Sequence, residues 1–198
     1  MKTYFALFFL FISFSFISCA NETEVIDETQ TILLKSKISN VVFEDVTKKL
    51  FDRFNETRSD GEVNLSEEDA LQILSPFVED GKELHKSLLE QINAAKDNMG
   101  LTSDEIKGLT ALGEDELALF SFIVYEMEQS EIVSRAAVSS QLISCLGAVT
   151  GISSIKAIWV SGLINAKTVT EVLIAQGKRY LGYVGVALMV YSFVDCIS

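Results

Sequence analysis

His85 is the only histidine in the chain, and Cys19, Cys145 and Cys196 are the only cysteines. Proton transfer at neutral pH and metal ligation draw heavily on these two residue types. One imidazole cannot form a paired metal site. The spacing also places His85, in Glu83-Leu84-His85-Lys86, on a polar helix face as a solvated side chain. No Gly-x-Ser-x-Gly elbow presents a serine nucleophile. Phosphate loops of the Walker or dinucleotide type are absent. Carboxylates are plentiful, yet most fall at helix starts, where capping and the helix dipole account for them. This inventory points away from an enzyme and implies no cofactor.

One segment has the parts of a cation site. Leu50-Phe51-Asp52-Arg53-Phe54, the run from Asn55 to Glu67 and the apolar pattern that follows resemble a calcium-binding helix–loop–helix hand. With Gly61 as the turn glycine, Val63 takes the apolar position, Asn64 the ninth loop position and Glu67 the twelfth. The front half departs from the pattern. Its first position falls on Glu56 and its third on Arg58, which brings a cation into the cage. Starting at Asn55 requires one inserted residue. The resemblance implies Asn55, Thr57, Asp60 and Glu67 as ligands, while a polar turn between two helices explains the same residues.

The first twenty residues carry an address. Lys2 is followed by an apolar run from Phe5 to Ile17, broken only by Ser13 and Ser15, and then by small residues. That order is the layout of a secretory signal peptide, and the run is short of the roughly 20 apolar residues of a transmembrane helix. Phe16-Ile17-Ser18-Cys19 resembles the lipobox of Gram-negative bacterial lipoproteins, with Phe16 in place of the more usual leucine. The resemblance implies cleavage before Cys19 and a diacylglycerol on its sulfur. Glu22, Glu24, Asp27 and Glu28 follow, similar to the acidic tether of lipoproteins sent to the outer membrane or cell surface. The alternative is ordinary cleavage after Ala20, leaving a secreted chain that starts at Asn21.

If Cys19 carries lipid, Cys145 and Cys196 remain as an even pair. Disulfides persist outside the cytosol, so a Cys145–Cys196 bond is expected. Closing a loop of about 50 residues stabilises by about 4 kcal/mol on chain entropy alone. Two cysteines do not make a structural zinc site, which needs four close ligands.

Charge divides the chain. Of its 28 acidic residues only Glu171 and Asp195 lie beyond Glu131, where Arg135, Lys156, Lys167, Lys178 and Arg179 stand against them. The net charge of −12 argues against nucleic acid as a partner, since neutralising phosphates takes lysine and arginine.

Helical elements must position these residues. Ile32, Leu34, Ile38, Val41, Val42, Val46, Leu50 and Phe54 recur mostly at three- and four-residue steps and predict one helix. Ser66 with Glu67, Glu68 and Asp69 reads as the start of a short helix that Pro76 ends. A second pattern runs from Phe77 to about Asn98 and stops at Gly100. Thr102-Ser103-Asp104-Glu105 is a capping box, and Gly113-Glu114-Asp115-Glu116 opens a central apolar helix. Val138–Leu146, Ser153–Ala166, Val169–Gln176 and Tyr180–Val194 are further helical candidates. The expected fold is all-α, an irregular multi-helix bundle with an apolar C-terminal helical subdomain. Its divisions are a signal peptide at 1–18, a flexible acidic tether at 19–31, an acidic helical region at 32–131 and an apolar, basic one at 132–198.

The last region admits two readings. Lys178-Arg179-Tyr180 and Tyr183 mix charge and aromatics as membrane- or partner-contact surfaces do. In charge and texture the region looks like the membrane-active helical bacteriocins, which implies a toxin or precursor. The other reading makes these helices the core on which the acidic helices pack. The functional expectation is a lipid-anchored envelope protein that binds or scaffolds a protein or lipid partner.

Overall fold

The computed structural model describes residues 31–58, 65–95, 97–133, 140–150, 159–160, 163–177 and 182–197. Seven α-helices dominate them: α1 (Asn40–Arg58), α2 (Glu67–Ala94), α3 (Ser103–Thr110), α4 (Glu114–Val133), α5 (Ser140–Thr150), α6 (Ala166–Gly177) and α7 (Tyr183–Ile197). The all-α expectation therefore holds, with one small addition. Strands β1 (Thr31–Ile32), β2 (Trp159–Val160) and β3 (Leu163–Asn165) form an antiparallel sheet in the order β1-β3-β2. Ile32 lies opposite Ile164, and Trp159 pairs with Ile164 from the other side.

Three local expectations are corrected. The first concerns residues 32–38, expected in the first helix. Ile32, Leu34 and Ser36 are buried while Leu33, Lys35 and Lys37 are exposed. That is the two-residue period of extended chain. The helix begins only at Asn40, where Ser39 Oγ accepts from Val42 N at 3.3 Å. The second concerns 153–166, expected as a helix, whose described residues 159–160 and 163–165 are strand. Trp159-Val160 and Leu163-Ile164 are aromatic and branched residues that favour strands, and Ser161-Gly162 between them is a turn signal.

The third concerns Pro76, which does not end a helix but lies inside α2, a helix of 28 residues. Proline has no N–H, so the carbonyl four residues back, Gln72, loses its donor. Ser75 Oγ donates to that carbonyl at 3.0 Å and restores the bond. The helix starts were legible. Ser66 Oγ accepts from Asp69 N at 3.1 Å, and Thr102 and Glu105 form both halves of a capping box.

The hydrophobic core crosses the compositional divide, which itself falls inside α4. Phe77 of α2, Phe122 of α4 and Phe193 of α7 are fully buried. Their rings meet edge to face, with centroids 6.1 Å apart for Phe77–Phe122 and 5.2 Å for Phe122–Phe193. Phe43 of α1 joins them, 6.3 Å from Phe77. Gly81 lets α2 and α4 touch backbone to backbone, because a Cβ there would lie 2.0 Å from the Leu117 carbonyl oxygen. Val186, Ala187, Met189, Val190 and Phe193 form the buried face of α7. No helix among the described residues is long and apolar enough to cross a membrane. Cys145 and Cys196 are disulfide-bonded, with Cα atoms 5.9 Å apart, and tie α5 to the end of α7.

Candidate functional site

Polar side chains converge at two places built by the packing of α2 and α4, and at a third a buried acid lies on α4 itself. The first is a clamp on the extended arm before α1. Asp80 lies in the apolar stripe of α2, three residues after Phe77 and four before Leu84, and is 5 % exposed. Its carboxylate accepts from Ser36 Oγ at 2.8 Å, Lys37 N at 2.7 Å and Ser121 Oγ at 2.7 Å. A buried carboxylate is tolerated only with such donors. Glu128 Oε1 accepts from Ser36 N at 2.8 Å. Gln91 uses both ends of its amide on Leu33, accepting from its N at 3.0 Å and donating to its O at 2.8 Å. An edge of extended chain leaves such groups unpaired, and here a side chain takes the place of the missing strand. Lys37 also pairs with Glu83, whose hydrogen bond holds the ammonium above its ordinary pKa.

The second place is the N-terminus of α7. Glu67 Oε2 accepts from Tyr183 N at 2.7 Å, Asp115 Oδ2 from Gly182 N at 3.1 Å, and Glu114 Oε2 from the Tyr183 hydroxyl at 3.0 Å. Gly182 has φ of +89°, and a Cβ on it would lie 2.5 Å from Glu67 Oε1. Acids from the first turns of α2 and α4 thus cap a third helix, where its unpaired N–H groups and dipole favour negative charge. Lys82 lies between Glu114 at 2.8 Å and Glu79 at 3.1 Å. Its hydrogen bond, then that of Tyr183, holds Glu114 below the usual carboxylate range. Burial, then the bond to Glu114, pushes the Tyr183 phenol up to about 12.

The third is Glu126 of α4, 4 % exposed and one helical turn beyond Phe122. Burial raises its carboxyl to about 8, so it is chiefly neutral at pH 7. Burial also lifts its neighbour Tyr125 to about 12, helped by the charges of Glu126 and Glu44. The Tyr125 hydroxyl lies 3.1 Å from Asn40 Oδ1.

Two open grooves lie among the described residues. One, of about 370 Å³, runs between α1 and α2 and is lined by Lys49, Asp52, Arg53, Asp69, Gln72 and Ile73. Arg53 and Asp69 bridge it at 3.4 Å. The other, of about 320 Å³, follows the arm past Leu33, Lys35, Lys37 and Glu83. Both present charges of either sign.

Some of the residues singled out by the sequence fall within the described structure. Cys19, Lys178, Arg179, Tyr180 and Asp60 lie outside the described residues, as does the side chain of Thr57. Asn55 is exposed near the end of α1. Glu67, expected as the last calcium ligand, turns its carboxylate to Tyr183 N instead. No group of three or more ligating side chains able to hold a metal occurs among the described residues. Tyr183, expected as a membrane or partner contact, gives its hydroxyl to Glu114. His85, expected to be solvated, is half-buried, with Nε2 2.9 Å from the Leu109 carbonyl. A carbonyl only accepts, so Nε2 carries the proton and the ring braces the end of α3 against α2. Asp80 and Glu126 were missed, although each interrupts an apolar stripe at helical spacing, which is a readable signal.

No protein-family model, curated protein or solved structure matches this chain.

Proposed function

We propose that this chain is a lipid-anchored cell-envelope protein that binds or scaffolds a partner and performs no chemistry of its own. Phe16-Ile17-Ser18-Cys19 at the end of the apolar leader is the observation that carries the reading. Acylation at Cys19 places the acidic tether between the membrane and the body. The clamp around Asp80 supports a mechanical role for that tether. It fixes residues 33–37 to α2 and α4, so the chain leading back toward the membrane departs from a rigid point. The α1–α2 groove, with Lys49, Asp52, Arg53 and Asp69, suits a polar partner carrying both charge signs. Lys178, Arg179 and Tyr180 add a cationic contact to a lipid or protein surface.

Mass spectrometry of the chain expressed in a Gram-negative host tests the anchor. The expected product begins at Cys19 and carries fatty chains. Blocking the lipoprotein-specific peptidase leaves the leader attached, and Cys19→Ala abolishes membrane retention. A product starting at Asn21 with no added mass overturns the reading.

A further inference from the structure

We infer that the outward face of the arm, formed by Leu33, Lys35, Lys37 and Val41, is a docking surface for an anionic lipid bilayer. The inference rests on the anchor reading above, which supplies the bilayer. Two observations carry it. The first is exposure. Leu33 and Val41 are 65 % and 75 % exposed, more than any other large hydrophobic side chain among the described residues. Such side chains scattered singly are ordinary. These two bracket Lys35 and Lys37, both exposed. The second is charge. From Thr29 to Phe43 the chain has two lysines and no acid, although Glu22, Glu24, Asp27 and Glu28 precede this stretch and Glu44 and Asp45 follow it.

Local structure fixes which side chains face out. Ile32, Leu34 and Ser36 are buried, and the period of extended chain turns Leu33, Lys35 and Lys37 the other way. Gln91 holds Leu33 by both its N and its O, and Asp80 holds Lys37 N. The backbone is ordered before any contact, so docking does not have to order it. Lys37 shares its charge with Glu83, and Lys35 therefore carries the larger part of the attraction.

Reach and field both fit a bilayer. Cys19 lies twelve residues before Thr31, a span of about 40 Å at full extension. The arm is the first described segment beyond the anchor. The net charge of −12 does not cancel the attraction, because at about 0.1 M salt charges more than about 10 Å away are screened. Each lysine beside an anionic surface strengthens docking roughly fivefold. Leu33 and Val41 add apolar contact at the headgroup boundary.

The mature chain with Cys19→Ser and an N-terminal hexahistidine tag, held on vesicles by nickel-chelating lipid, tests this. Cys145 and Cys196 are bonded, so Glu44→Cys supplies the thiol for a nitrobenzoxadiazole reporter at an exposed position near the start of α1. Lipid with a nitroxide headgroup quenches the reporter when the arm docks. On going from phosphatidylcholine to about 30 % phosphatidylglycerol, at about 0.1 M salt, the ratio of docked to undocked chain should rise roughly fivefold or more. Lys35→Gln should cancel most of that rise and Lys37→Gln less of it. Leu33→Ser should weaken docking on both compositions. Equal quenching on the two compositions overturns the proposal, as does a rise that survives Lys35→Gln and Lys37→Gln together. Disulfide-linked dimers of the unlabelled Glu44→Cys chain, without quenching, would assign the face to a second copy and overturn it too. The tag stands in for the lipid, so this result is independent of acylation at Cys19, and the anchor reading stands or falls on the mass of the native product.

Discussion

The acidic helices α1 to α4 and the apolar elements that follow do different work in one body. Asp80, Gln91, Glu128 and the capping acids of α2 and α4 all belong to the first region, and they fix the arm and the start of α7 through hydrogen bonds. The second contributes mainly apolar surface, with Phe193, Val190 and Ile164 buried against the first. A sharp change in composition along the chain thus marks a division of labour within a shared core rather than a boundary between two cores. Charge can change over a few residues, whereas a hydrophobic core needs surface from every element that touches it.

The strongest way to break that comparison is Phe193→Ala. It removes the ring that meets Phe122 and should cost about 4 kcal/mol. Denaturant unfolding followed by far-ultraviolet dichroism and by fluorescence of Trp159, the single tryptophan, should still give coincident transitions. Two separate transitions in the parent chain would split the core in two.

Asp80→Ala tests the polar side. It strands Ser36 Oγ, Lys37 N and Ser121 Oγ, so a loss of about 3 kcal/mol is expected by the same unfolding measurement. Asp80→Asn, which keeps an acceptor, should lose less.

Glu126 gives a pH test. Its folded pKa of about 8 lies above the ordinary carboxylate value. The stability linked to its proton is complete below the unfolded pKa and is lost as pH rises through the folded one. Between pH 5 and pH 7 the parent should lose roughly 2 to 3 kcal/mol through this group, and Glu126→Gln should remove most of that slope. Glu114 and Glu105 act in the opposite sense. Hydrogen bonds from Lys82 and from the Thr102 backbone lower their pKa values, so their contribution fades as pH falls below the carboxylate range.

The smallest effect should come from Gly182→Ala. A positive φ and the nearby Glu67 carboxylate make alanine unfavourable by about 1 kcal/mol, read as a lowered melting temperature. An unchanged melting temperature would show that the acids of the first region do not hold α7 in place.

Much of the fold was legible because its signals are local. Ser66 with Asp69 and Thr102 with Glu105 are three residues apart, so side chain and N–H meet whatever lies around them. The arm was misread for a related reason. Leu34 and Ile38 are four residues apart, a step that suits a helix and extended chain alike, and only the exposure of Lys35 and Lys37 separates them. Pro76 was misread because the rule that proline ends a helix omits the neighbour that rescues the lost bond, here Ser75. The grooves had no sequence signal, since Arg53 and Asp69 come from different helices.

What the chain's own letters determined is helix content, helix starts and the placement of charge, all set by neighbours within one turn. The tertiary structure decided which acids became buried, which capped a distant helix and which extended residues stayed outside α1. Asp80 finds Ser121 41 positions away, and Glu67 finds Tyr183 116 positions away. Burial and hydrogen-bond partnership at that separation depend on how helices stack, and stacking is a property of the whole core.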